Sequence, residues 1–144
     1  MKTVEYWKEK GFIEIGSIFS SDRLKQGVDV NFVVEKEDWN KQPGVYLICS
    51  NDDTVLKIGQ SANIYHRINT QYKCISNSGN IRIRERIKAV YHLVKIYAFK
   101  TPKQKVCLLD YSFYINYQKG LEEAMLHDYF NKVGDIPALN MQRN

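Results

Sequence analysis

The sequence predicts an α/β (α+β) domain: a small antiparallel or mixed β-sheet opened by a β-hairpin and flanked by helices. Three observations carry that expectation. Gly44-Val45-Tyr46-Leu47-Ile48-Cys49 and Thr54-Val55-Leu56-Lys57-Ile58-Gly59 are β-rich runs around the polar turn Ser50-Asn51-Asp52-Asp53, which is hairpin chemistry. Ile64 and Ile68 recur at i, i+4 behind a capping residue, Ser61 or Asn63, and predict a helix through Arg67 and Tyr72. Leu121, Met125 and Leu126, then Tyr129 and Phe130, predict an amphipathic helix over 121–131, ended by Gly134 and Pro137.

The other elements follow in chain order. Thr3 is placed to cap a helix over Val4–Lys10 that Gly11 ends. Phe32, Val33 and Val34 suggest a short strand, and the charged stretch Lys36–Lys41 suggests a turn. Residues 1–42 are therefore expected as an arm packed on a domain that fills 43–144. Asn77-Ser78-Gly79-Asn80 reads as a loop, Ile81–Tyr91 as helical, and His92–Phe99 as an alternating strand. Val106–Tyr117 fits strand or helix by period, and its Tyr, Phe and Ile favour strand.

A chain of 144 residues is one domain's worth, long enough to bury a core without disulfides or a structural metal. No apolar run approaches the ~20 residues that cross a bilayer, and MKTVEYWKEKG lacks the apolar core of a secretory signal. Cys49, Cys74 and Cys107 are odd in number and widely spaced, which supplies neither a disulfide framework nor a zinc pattern. A cytoplasmic location is the expectation.

The net charge of +5 is unevenly distributed. Residues 1–53 carry seven Lys/Arg against ten acids, and residues 106–144 three against five. Residues 54–105 carry eleven against the single acid Glu85. Such a block is the electrostatic footprint of a polyanion binder, because each neutralised phosphate releases counterions. A solvated basic surface is the other reading. Lys73, Arg82, Arg84, Arg86 and Lys88 are the candidate nucleic-acid contacts.

Five pieces in order resemble the GIY-YIG nuclease superfamily. They are Gly44-Val45-Tyr46, Lys57-Ile58-Gly59, the segment Gln60–Arg67, the helix Leu121-Glu122-Glu123-Ala124-Met125-Leu126-His127, and Pro137-Ala138-Leu139-Asn140. Lys57 stands where most members carry tyrosine. That variant and the Glu-x-x-Leu-His helix are similar to the phage-type branch. The resemblance implies a DNA endonuclease in which Arg67 meets phosphate and Glu123 holds the metal, Mg²⁺ or Mn²⁺. Gly44, Gly59 and Asn140 would be structural parts of the motif.

The chemistry can be argued from the residues themselves. Phosphodiester hydrolysis needs an activated water, stabilised phosphoryl oxygens and help for the leaving oxygen. Tyr46 is the candidate general base, and a nearby cation would favour its phenolate. With Asn51-Asp52 as a two-residue loop, Tyr46 and Lys57 would lie directly opposite on one sheet face. Arg67 offers a bidentate fork to phosphate. Glu122, about 100° round the helix from Glu123, is expected to point elsewhere, and His127 lies one turn after Glu123 on its face.

Each residue taken singly has a plainer reading: Tyr46 and Tyr65 as core aromatics, Arg67, Glu123 and His127 as helix-surface residues. Trp7, Trp39, His92 and the cysteines are assigned to structure. A non-catalytic nucleic-acid-binding module with the same fold is the alternative to an enzyme, and an interaction domain is a third reading. DNA is the expected partner and a membrane is not. A homodimer is one of the open oligomeric states, since cutting both strands with one site per chain calls for two copies.

Overall fold

In a computed structural model of the chain, which describes residues 2–25, 27–73 and 81–140, seven strands and five α-helices are found. Strands β1 (Ile13–Ser20), β2 (Val28–Phe32), β3 (Gly44–Cys49), β4 (Val55–Ser61) and β5 (Leu93–Lys100) form one sheet in the order β2-β1-β5-β3-β4. Every pairing within it is antiparallel. Strands β6 (Lys105–Leu108) and β7 (Tyr111–Tyr114) make a separate two-stranded ribbon. The α+β expectation holds, and of the two sheet types expected, antiparallel and mixed, the sheet is antiparallel.

The segment expected as an arm supplies two of the five strands. Helix α1 (Val4–Glu9) begins at Thr3, whose hydroxyl accepts from the Tyr6 amide at 3.4 Å. Gly11 follows at φ +106°, a left-handed geometry that favours glycine. The chain then enters β1, which pairs with central β5. Gly16 interrupts the side-chain alternation of β1, and its Cα faces the Asn31 carbonyl of β2 closely enough to exclude a side chain. Lys36–Trp39 forms a short helix, α2, anchored by buried Trp39.

Two helical layers cover the sheet. On one face lie α3 (Ile64–Lys73) and α4 (Ile81–Arg86), which continues into a π-helical turn over Ile87–Tyr91. Ile64, Ile68, Tyr72, Ile83 and Ile87 pack there against Tyr46, Ile48, Val94 and Ile96. Burying each such aliphatic side chain stabilises by roughly 1.5–3 kcal/mol. On the other face, α1 and α5 (Tyr117–Val133) cover Val45, Leu47, Cys49, Ile58 and Tyr97. With neighbours on both edges and helices on both faces, β3 is buried at every position, which explains its unbroken apolar sequence.

Helix α5 starts four residues earlier than expected. Asn116 caps it by accepting from the Lys119 amide at 3.0 Å, and Gly134 at φ +86° ends it. Among the described residues, no helix is long and apolar enough to cross a membrane. Cys49 is buried and Cys107 exposed, both as free thiols; Cys74 and the 77–80 loop lie outside the described residues.

Candidate active site

The site is built on β3 and β4. Tyr46 is opposite Gly59, and its ring lies over that glycine. A Cβ at Gly59 would stand 2.8 Å from Tyr46 Cε1 and closer still to Cζ and Oη. Gly59 thus opens the space that the phenol occupies. Lys57 is opposite Ile48, not Tyr46 as expected. The turn is longer than two residues: Ser50 N–H donates to Thr54 O at 2.9 Å, Asp53 sits at φ +65°, and the register slips beside Cys49. The resulting offset is two residues, so both side chains stay on one face. Lys57 Nζ lies 5.9 Å from the Tyr46 ring centroid.

Helix α3 brings Arg67 to this pair. Asn63 supplies the cap, its side chain accepting from the His66 amide at 3.2 Å. Ile64 and Ile68 fill the core, which turns His66 and Arg67 outward. The charge of Arg67 bears on Tyr46, Lys57 and Tyr72. Tyr65 stacks on Phe32 at 4.0 Å between ring centroids and belongs to the core edge.

The α5 carboxylate whose charge bears on the cluster is Glu122, whereas Glu123, the expected metal ligand, is exposed. Gln118, Glu122, Met125 and Tyr129 form the inward stripe of α5, at successive spacings of four, three and four residues. Glu122 is half-buried and its charge bears on both Tyr46 and Lys57. Glu123 lies on the exposed face, as does His127, whose Nδ1 is 3.3 Å from Asn131 Nδ2. The sequence held the signal: Leu121, Met125, Leu126 and Tyr129 define the buried stripe, and Glu122 falls within it.

Burial governs the electrostatics. It pushes the Tyr46 phenol well above its ordinary value, against the downward pull of Arg67, and Glu122 pushes the same way as burial. Burial thus opposes the Tyr46 phenolate that a nearby cation would favour. Burial also lowers Lys57 to about 8, helped by the Arg67 cation and opposed by Glu122. Tyr72, which the sequence did not single out, is wholly buried beside Tyr46. Its hydroxyl has no hydrogen-bond partner among the described residues.

Asn140 fastens the edge of the site. Its Oδ1 accepts from Ile58 N at 2.8 Å and its Nδ2 donates to Ile58 O at 2.9 Å. Leu139 N–H donates to Leu56 O at 2.6 Å. The closing segment thus satisfies the outer edge of β4 between Lys57 and Gly59. At Gly44, a Cβ would collide with the Phe99 carbonyl of β5, so glycine permits the close strand approach.

The basic block is split. Arg82, Arg86 and Lys88 are exposed on α4 and the turn that follows. Arg84, expected beside them, is buried, and its Nη1 donates to the Gln71 carbonyl at 3.0 Å. The side chain of Lys73 lies outside the described residues. No group of three or more His, Cys, Asp and Glu is found among the described residues. A site that contributes one carboxylate suits a hard cation such as Mg²⁺, completed by water and phosphate oxygens, and does not suit a closed zinc site.

The fold is similar to those of solved nuclease structures. The solved structures it is similar to include bacteriophage T4 EndoII, in a mutant form, with a TM-score of 0.67 and 20% identity over 98% of this chain and 100% of that one. They also include restriction endonuclease HPY188I in complex with product DNA, with a TM-score of 0.58 and 15% identity over 99% and 87% of the respective chains. No family model and no curated protein matches the sequence.

Proposed function

We propose that this chain is a metal-dependent DNA endonuclease of the GIY-YIG type, hydrolysing phosphodiester bonds. The observation that carries the reading is that Lys57 Nζ stands over the Tyr46 ring while the charges of Arg67 and Glu122 both bear on this pair, from two strands and two helices. The likeness of the fold to endonucleases, one of them holding product DNA, supports it.

Arg67 and the Lys57 ammonium would bind the scissile phosphate and stabilise the charge that develops on its oxygens. Tyr46 would hold the attacking water through its hydroxyl, and its action as general base would need the phenolate, which the Arg67 cation favours and burial opposes. Glu122 would hold Mg²⁺ or Mn²⁺, which when bound supplies charge stabilisation at the leaving oxygen. Exposed Arg82, Arg86 and Lys88 would track the DNA backbone.

A second assignment of the base has its own support. Burial brings Lys57 down to about 8, so its amine is the rival proton acceptor. Cleavage of supercoiled plasmid with Mg²⁺ tests the main reading. Nicking that disappears in Arg67→Ala and Glu122→Ala is the expected result. DNA binding without cleavage under any divalent ion would instead establish a non-catalytic binding module.

A further inference from the structure

The β6–β7 ribbon projects an apolar surface that the proposed reaction does not use. Of the twelve exposed large hydrophobic residues among those described, five lie between 108 and 114: Leu108, Leu109, Tyr111, Phe113 and Tyr114. Cross-strand pairing sorts them. Val106 faces Phe113 and Leu108 faces Tyr111, so these four share one face. Lys105 with Tyr114, and Cys107 with Ser112, occupy the other. The tip is Leu109-Asp110, both at positive φ (+52° and +67°), which makes a tight two-residue turn. Among the described residues, no further strand pairs with either outer edge.

A two-stranded ribbon is marginal in water on its own, and a clustered apolar face on it is costly to leave wet. The surface is unsuited to DNA. Residues 106–118 contain no Lys or Arg, and their single charge is Asp110. The ribbon is instead complementary to itself. Its base is basic, at Lys103 and Lys105, and its tip is acidic, at Asp110. Two ribbons laid antiparallel bring each tip to the other's base, as a two-fold interface requires.

We propose that the face formed by Val106, Leu108, Tyr111 and Phe113 is a homodimer interface, packing against the same face of a second copy. The reciprocal charges of Asp110 at the tip and Lys103 at the base set its antiparallel direction. The assignment does not depend on the chain being a nuclease.

Light scattering of the full chain across a concentration series tests it. The expected mass is twice the 16.9 kDa of one chain. Leu108→Glu with Phe113→Glu is expected to halve that mass while the circular dichroism stays unchanged, because both positions are exposed. Asp110→Lys is expected to weaken the dimer at least tenfold, and adding Lys103→Glu to restore it. A parent chain that remains monomeric overturns the proposal, as does a dimer indifferent to the Leu108/Phe113 pair. Failure of the charge reversal to restore association overturns the antiparallel arrangement. Plasmid cleavage is read separately, so an inactive dimer or an active monomer assigns failure to one reading and not the other.

Discussion

The Tyr46 ring rests on Gly59, directly across the β3–β4 pair, in the space a side chain at Gly59 would fill. The phenol's position is thus set by the absence of a neighbour's Cβ. Gly59→Ala is expected to displace the ring, since the added carbon meets Cζ, Cε1 and Oη together. Overpacking of this kind costs about 1–3 kcal/mol. Thermal denaturation should show the lower midpoint, and cleavage should fall further than the stability loss explains. An alanine variant with parental kcat would refute this dependence.

The two adjacent glutamates on α5 are expected to differ sharply. Glu122→Ala should reduce cleavage by about 100-fold or more, the scale seen when a group stabilising transition-state charge is removed. Glu123→Ala, on the exposed face, should leave it nearly unchanged. Calorimetric titration with Mn²⁺ gives a readout apart from activity: heat abolished in the first variant and retained in the second. The opposite ranking would return the metal to Glu123.

Lys57 makes the reaction and the stability depend on pH in a specified direction. If its ammonium binds phosphate, kcat/KM falls as pH rises through about 8, since that profile reports the free enzyme. Lys57→Arg should keep activity and remove the fall. A rise through the same pH, abolished in Lys57→Met, would make the amine the base. Folding gives an independent measure. Lys57 is lowered from 10.5 to about 8, so between those values the unfolded chain binds more protons and stability increases with pH. Denaturant midpoints should climb across that window in the parent and less steeply in Lys57→Met.

Within the basic block, neighbouring arginines should separate by assay. Arg82→Ala and Arg86→Ala remove exposed cations, and each should reduce the slope of log affinity against log salt by about 0.9 for every phosphate it no longer neutralises. Stability should hardly move. Arg84→Ala leaves the buried Gln71 carbonyl without this donor and should cost roughly 1–3 kcal/mol. Filter binding at several salt concentrations, beside urea unfolding, distinguishes the two classes.

Asn140 joins two segments far apart in the chain through paired bonds to Ile58. Asn140→Ala is expected to cost roughly 1–3 kcal/mol and to loosen β4 between Lys57 and Gly59. Hydrogen exchange should report it as faster exchange of the Ile58 amide, with the central β5 amides still protected. Unchanged protection at Ile58 would count against the edge-fastening role.

Local pattern was enough for much of this protein. The β3–β4 hairpin, the Thr3 and Asn63 caps, the core stripe of α3 and the Gly134 stop of α5 each rest on residues within a few positions of one another. What the sequence determined by itself was therefore the kind of element at each place, and the presence of Tyr46, Lys57 and Arg67 close to one hairpin. Tertiary structure decided the rest, because the deciding interactions join residues distant in sequence. A longer turn set Tyr46 against Gly59 and not Lys57. The packing of α5 on β3 and β4 half-buried Glu122 and left Glu123 exposed. The fit of α4 beside α3 buried Arg84 while leaving Arg82 and Arg86 in water. Desolvation, which no short window of sequence contains, pushes the Tyr46 phenol up and brings Lys57 down to about 8.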